Sequence, residues 1–148
     1  MDRRTRICLW VIALGLANFA AYIIGYTYVG PGGGDAMNGM VIRDVADPDV
    51  RHYYVGRMGN LFEVGPGLWI YSAIHSCSIF PTMAAVMLAM LTLAKDRIVS
   101  SMRSTIIRGR TFITIVATIV TLISLMVTIW FLIYMVRHLA GAGGRGAP

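Results

Sequence analysis

The chain has 148 residues, 57% of them hydrophobic and 14% charged, with a formal net charge of +6 and a mean hydropathy of +0.68. Average soluble domains are about 45–50% apolar and about 25% charged, so this composition argues against an ordinary soluble domain, and the length admits one domain, a single membrane domain over residues 1–148. The positive charge would suggest a nucleic-acid interface only if the basic residues formed a stripe. They instead flank long apolar runs and form no patch interleaved with aromatics, so no nucleic-acid partner is expected.

Taken in chain order, the first predicted element is a transmembrane helix over 7–29. A helix needs about 20 apolar residues to cross a hydrocarbon core of about 30 Å, and this run carries only Asn18 and Thr27 as clear polar interruptions. Arg3, Arg4 and Arg6 before it resemble the basic end of a signal peptide. The apolar run outlasts a signal core of about 7–15 residues, and Asn18 or Phe19 would occupy the −3 cleavage position, so it reads as a retained helix. Ala13, Ala17, Ala21 and Gly25 recur every four residues, a small-residue ridge of the kind that lets helix backbones approach closely.

The connector 30–67 is the main polar region. His52–Val55 and Leu61–Val64 are β-prone runs separated by Gly56–Asn60, which predicts a hairpin with a longer turn, and Gly39–Ile42 could add a third strand. A lone hairpin is marginal in water, so this cap must pack on the helices or on a partner. Asp44, Asp47, Asp49 and Glu63 do not match the spacing of a calcium loop and read as a solvated acidic segment.

The second span, 68–94, is the richest in chemistry. Tyr71, His75, Ser78 and Thr82 fall on one helical face, with Ser72 and Ser76 beside them. Pro81 removes one backbone hydrogen bond and should kink the helix. Ionisable groups within a span usually face the bundle interior or water. His75 is therefore either a working group (a proton carrier or ligand contact) or a neutral imidazole bonded to a Ser or Thr of a neighbouring helix. Glu63, just before the helix, could reach it if the connector folds back. Met83, Met87 and Met90 give the same helix a flexible apolar face.

The connector 95–111 alternates basic and apolar residues, as expected of a short amphipathic helix on anionic headgroups. The third span, 112–136, is rich in Ile and Val, with Thr114, Thr118, Thr121 and Thr128 along one face. A Gly/Ala-rich tail over 140–148 should be flexible. The expected fold class is thus an all-α membrane protein, three transmembrane helices with a small extracytoplasmic β-hairpin loop.

Orientation follows from Lys and Arg near the helix ends. The N-terminal segment and the 95–111 connector hold eight, against five in the 30–67 connector and the tail. This places the N-terminus in the cytoplasm and the C-terminus outside. Cys8 and Cys77 read as two free apolar thiols. No second histidine lies within a span to complete a haem site, and no His/Cys spacing matches zinc, so no cofactor or metal is expected.

Gly33-Gly34-Asp35-Ala36-Met37-Asn38-Gly39, then His52-Tyr53-Tyr54, Glu63-Val64, Tyr71-Ser72 and His75, resemble a pattern in small uncharacterised bacterial membrane proteins. The pattern covers about a third of the chain and carries over no activity. It implies that the connector and His75 form one unit. The leading functional expectation is a non-enzymatic accessory or assembly subunit whose partners are the lipid bilayer and a membrane protein or further copies of itself. The alternative is a small oligomeric transporter or channel lined by the polar face of the second helix. An enzyme or redox subunit using His75 ranks third.

Overall fold

The computed structural model describes residues 2–28, 33–44, 46, 47, 49–102 and 109–140. The tail beyond Ala140 and the centre of the 95–111 connector lie outside the described residues. Three helices and a small sheet follow in the order α1 (Arg3–Tyr28), β1 (Asp35–Arg43), β2 (Arg51–Arg57), β3 (Asn60–Val64), α2 (Pro66–Ser101) and α3 (Gly109–Leu139). At 1.5 Å per residue the helices are about 39, 54 and 46 Å long, more than the thickness of a bilayer core. All three are long and apolar enough to cross a membrane.

Each helix outruns its apolar stretch, because helical hydrogen bonding continues wherever the backbone permits it. The largest departure is at Lys95 to Ser101, expected as part of a separate amphipathic helix. These residues instead prolong α2. Pro66 occupies the first position of α2, where the missing N–H would have no intrahelical acceptor. Pro81 lies inside the same helix, which continues past it without a break in assignment.

The chain forms two compact units, both drawing on all three helices. The sheet-bearing unit comprises Ala20–Ile79 and Thr128–Pro148. Its strands are antiparallel in the order β1-β2-β3. The third strand is therefore present, and it is longer than Gly39–Ile42. The β2–β3 turn is shorter than expected. Arg57 pairs with Asn60, leaving only Met58 and Gly59, whose φ angles of 50° and 85° match a two-residue type I′ turn.

The β1–β2 register breaks between Asp35, opposite Gly56, and Met40, opposite Tyr54. The extra residues of β1 form a bulge, which re-aims side chains and bends the strand. At the bulge the strands approach so closely that a Cβ on Gly39 would collide with the Tyr54 carbonyl, and one on Gly56 with the Asn38 carbonyl. Sheet and helices share a core of Ala36, Val41, Val55, Trp69 and Ala73, with Phe62, Met135 and Leu139 packed around it.

The arginines of the strands close helix ends. Arg51 Nη1 donates to the Leu139 carbonyl at 2.7 Å, and Arg43 reaches the Ala140 carbonyl at 3.5 Å. Arg57 approaches the Thr27 carbonyl at 3.4 Å and lies 5.7 Å from the Tyr26 ring centre. The last carbonyls of a helix lack intrahelical donors and carry the negative end of its dipole. Cations belong there, which accounts for the basic residues of the 30–67 connector.

The helical unit comprises Met1–Phe19 and Phe80–Val127. Here α1 meets α2 at Gly15, where a Cβ would overlap the Val86 side chain. Asn18 Nδ2 donates to Thr82 Oγ1 at 3.1 Å in the same interface. Cys8, Val86 and Ala89 are buried.

The close approach between helices of the chain therefore does not use the expected ridge. Ala13, Ala17 and Ala21 are exposed, and only Gly25 is partly covered. A four-residue step advances a helix by about 40° beyond a full turn, so the ridge winds around α1. It begins opposite Gly15 and reaches the covered side only at Gly25. Met87 and Met90 are also exposed. On α3, Thr114 and Thr121 return their hydroxyls to the carbonyls of Arg110 and Ala117. Both cysteines are free thiols.

Candidate functional site

A cleft of the sheet-bearing unit forms where β1 begins. Gly34 passes the end of α1, its N–H donating to the Tyr26 carbonyl at 2.7 Å. Asp35 follows as the first residue of β1 and is 2% exposed. Its carboxylate accepts the Tyr22 hydroxyl at 2.6 Å through Oδ2. Through Oδ1 it accepts the Asn38 backbone N–H at 3.0 Å and Asn38 Nδ2 at 2.8 Å. One side chain thus closes the bulge locally and ties it to α1. Ser72 adds a link from α2, accepting the Ala36 N–H at 3.0 Å.

His75, Ser76 and Tyr71 complete the cleft with Tyr22, Asp35 and Ser72. The His75 ring stands edge-on to both Tyr22 and Tyr71, with centroids 5.9 and 5.6 Å apart. Ser76 is 2% exposed, and its hydroxyl lies beside that of Tyr22. The cleft encloses about 20 Å³, room for about one water and far below the 300–1,000 Å³ of typical organic-ligand pockets. Its chemistry is that of a polar lock, in which the Asp35 carboxylate satisfies three donors where water is scarce.

The structure divides the face expected on α2. Tyr71, Ser72, His75 and Ser76 line the cleft. Ser78 instead donates to the His75 carbonyl at 2.7 Å, and Thr82 belongs to the contact with Asn18 in the helical unit. Glu63 is not at His75. On β3 its Oε1 lies 2.7 Å from His52 Nδ1. The physical reason is strand geometry, since Glu63 sits diagonal to His52 on the neighbouring strand, within reach of a long side chain.

Composition gave no warning of Asp35 and Tyr22. The signal was local: Asp35 follows three glycines and precedes Asn38 by three residues, a spacing at which an aspartate can accept backbone N–H bonds around a turn. Among the described residues no group of three His, Cys, Asp or Glu side chains could hold a metal ion. No protein-family model, no curated protein and no solved structure matches this chain.

A second cluster lies on the exposed side of the sheet. His52 sits between Glu63 and Asp44, whose Oδ2 is 3.5 Å from Nε2. The Glu63 hydrogen bond, then Asp44, raises the His52 pKa above its ordinary value of 6.5. Asp44 is lowered from 3.8, first by the Ala46 N–H and then by His52. The raised histidine contributes stability that is complete below pH 6.5 and is lost as pH rises through its folded-state value. The lowered aspartate contributes stability present above pH 3.8 and lost as pH falls through its folded-state value. These two groups therefore favour the sheet most between pH 3.8 and 6.5. Amide exchange in β2, corrected for intrinsic rates, should quicken as pH rises above neutrality. His52→Gln should abolish that pH dependence, and an unchanged profile in the variant would assign it elsewhere.

Proposed function

We propose that the chain is a multi-pass membrane protein acting as a non-enzymatic accessory or assembly subunit, with α1 docking on a partner helix. The reading has the N-terminus in the cytoplasm and the sheet on the opposite side of the membrane. The observation that carries it is the exposure of Ala13, Ala17 and Ala21. The chain's own α1–α2 contact uses Gly15, so the small-residue ridge remains open to another helix. Without a hydrophobic force between helices in lipid, such close backbone approach is a main source of association. A channel lined by the α2 face is less well supported, because Ser78 and Thr82 are engaged inside the chain.

Ala17→Leu and Gly15→Leu separate docking from folding. Gly15→Leu overfills a packed contact, at a cost of about 1–3 kcal/mol in stability. Ala17→Leu should leave thermal stability in detergent unchanged and release the partner in native electrophoresis of mildly solubilised membranes. A monomeric wild-type protein, or an Ala17→Leu protein that keeps its partner, would overturn the reading.

A further inference from the structure

A groove in the helical unit is built for a ligand with one charged end and one apolar end. It encloses about 510 Å³, within the range of ligand-sized pockets. On α2 its wall runs from Lys95 through Leu91 to Leu88, and on α3 from Arg110 through Ile113 to Ala117. Both sets step by three or four residues, so each lies on one helical face. The cations are Lys95, about two turns before the end of α2, and Arg110 at the start of α3, and Arg4 near the start of α1 joins them at the rim. Below the cations the wall alternates Leu88, Leu91, Ile113 and Ala117 with Thr92 and Thr114 over about 10 Å of helix, and the two threonine hydroxyls are spent on the Leu88 and Arg110 carbonyls of their own helices.

Among the described residues no carboxylate lines the groove, and no ion pair engages Arg4, Lys95 or Arg110. Three cations held together repel one another, and an anion between them relieves that repulsion. The aliphatic floor is matched by a hydrocarbon chain. We infer that this groove binds an anionic glycerophospholipid, with the headgroup phosphate among Arg4, Lys95 and Arg110 and an acyl chain along Leu88, Leu91 and Ile113. Basic pockets between helices at a membrane surface are suited to such headgroups. The site is independent of the α1 ridge and goes beyond the docking reading.

The test uses the full chain in neutral detergent, where no charged bilayer surface contributes. Native mass spectrometry with added phosphatidylglycerol or phosphatidylcholine reads the bound lipid directly. Wild type should retain phosphatidylglycerol in preference to phosphatidylcholine. Neutralising all three cations (R4Q, K95Q, R110Q) should weaken binding on the order of a hundredfold, at about fivefold per charge. R3Q, R6Q and R97Q together remove as many charges outside the groove and should change little. R4K and R110K together should bind nearly as wild type, showing that charge, not local folding, is read. Leu91→Trp keeps every charge but fills the floor, and should also expel the lipid. Equal losses in the groove and control triples would overturn the site, as would tight binding by Leu91→Trp. Competition by millimolar inorganic phosphate as effective as that by lipid would reduce it to a simple anion site and overturn the lipid assignment.

Discussion

Trp69→Ala is expected to destabilise the sheet-bearing unit by about 3–5 kcal/mol, the usual cost of truncating a large buried aromatic. Trp69 is 1% exposed and lies among Ala36, Val41, Val55 and Ala73, the residues that join the strands to α2. Its ring centre is 5.9 Å from that of Tyr53. Because its neighbours are small or β-branched, they cannot collapse into the space the indole leaves. Trp69→Phe should cost much less than its lost volume implies. The buried indole Nε1 has no hydrogen-bond partner among the described residues, and an unmet buried donor costs about 1–3 kcal/mol. Removing it offsets part of the lost packing. Thermal unfolding in detergent, followed by circular dichroism, separates the two variants. Equal losses would mean that the indole N–H is satisfied.

Asp35→Ala should come second, through hydrogen bonds instead of volume. It strands the Tyr22 hydroxyl and the Asn38 backbone N–H, each at about 1–3 kcal/mol where water cannot replace the carboxylate. Asn38 itself is exposed, so its Nδ2 can turn to solvent and adds little. A double-mutant cycle with Tyr22→Phe isolates the tie between β1 and α1. A coupling of about 0.5–3 kcal/mol is expected for groups in direct contact. Additive losses would show that Asp35 stabilises only its own bulge. The amide of Ala36, held by Ser72, should exchange faster in Asp35→Ala.

The helices were legible because their signal is length. A run of about 20 apolar residues has few other fates, and only its ends were misplaced, since helical bonding ignores where hydropathy falls. The alternating residues of His52–Val55 and Leu61–Val64 likewise announced their strands. The turn between them did not, because Met58 adopts a positive φ that its side chain does not advertise. The bulge hid the start of β1 at Asp35, as a register break erases the period of two that strand reading relies on.

The site was half legible for a related reason. Helical spacing placed Tyr71 and His75 together, but it cannot say which side of that face meets another element. Ser72 and Ser76, seen as flanking residues, line the cleft, while Ser78 does not. Glu63, near His75 in sequence and able to reach it if the connector folds back, is instead paired with His52 by cross-strand geometry. On α1 the contact with α2 falls between two of the repeated alanines. Gly15 carries the contact, and a lone glycine within a helix was the available cue to close approach.

Three membrane crossings, with the sheet on the side away from the N-terminus, are tested most directly by one labelling experiment. In a protein with Cys8 and Cys77 replaced by serine, single cysteines are placed at Met58, which is 86% exposed in the β2–β3 turn, at Ser101 near the end of α2 and at Pro148. A membrane-impermeant maleimide applied to intact cells should label positions 58 and 148 and should reach 101 only after permeabilisation. Labelling at 58 with protection at 148 would contradict three crossings, and labelling at 101 with protection at 58 and 148 would contradict the orientation.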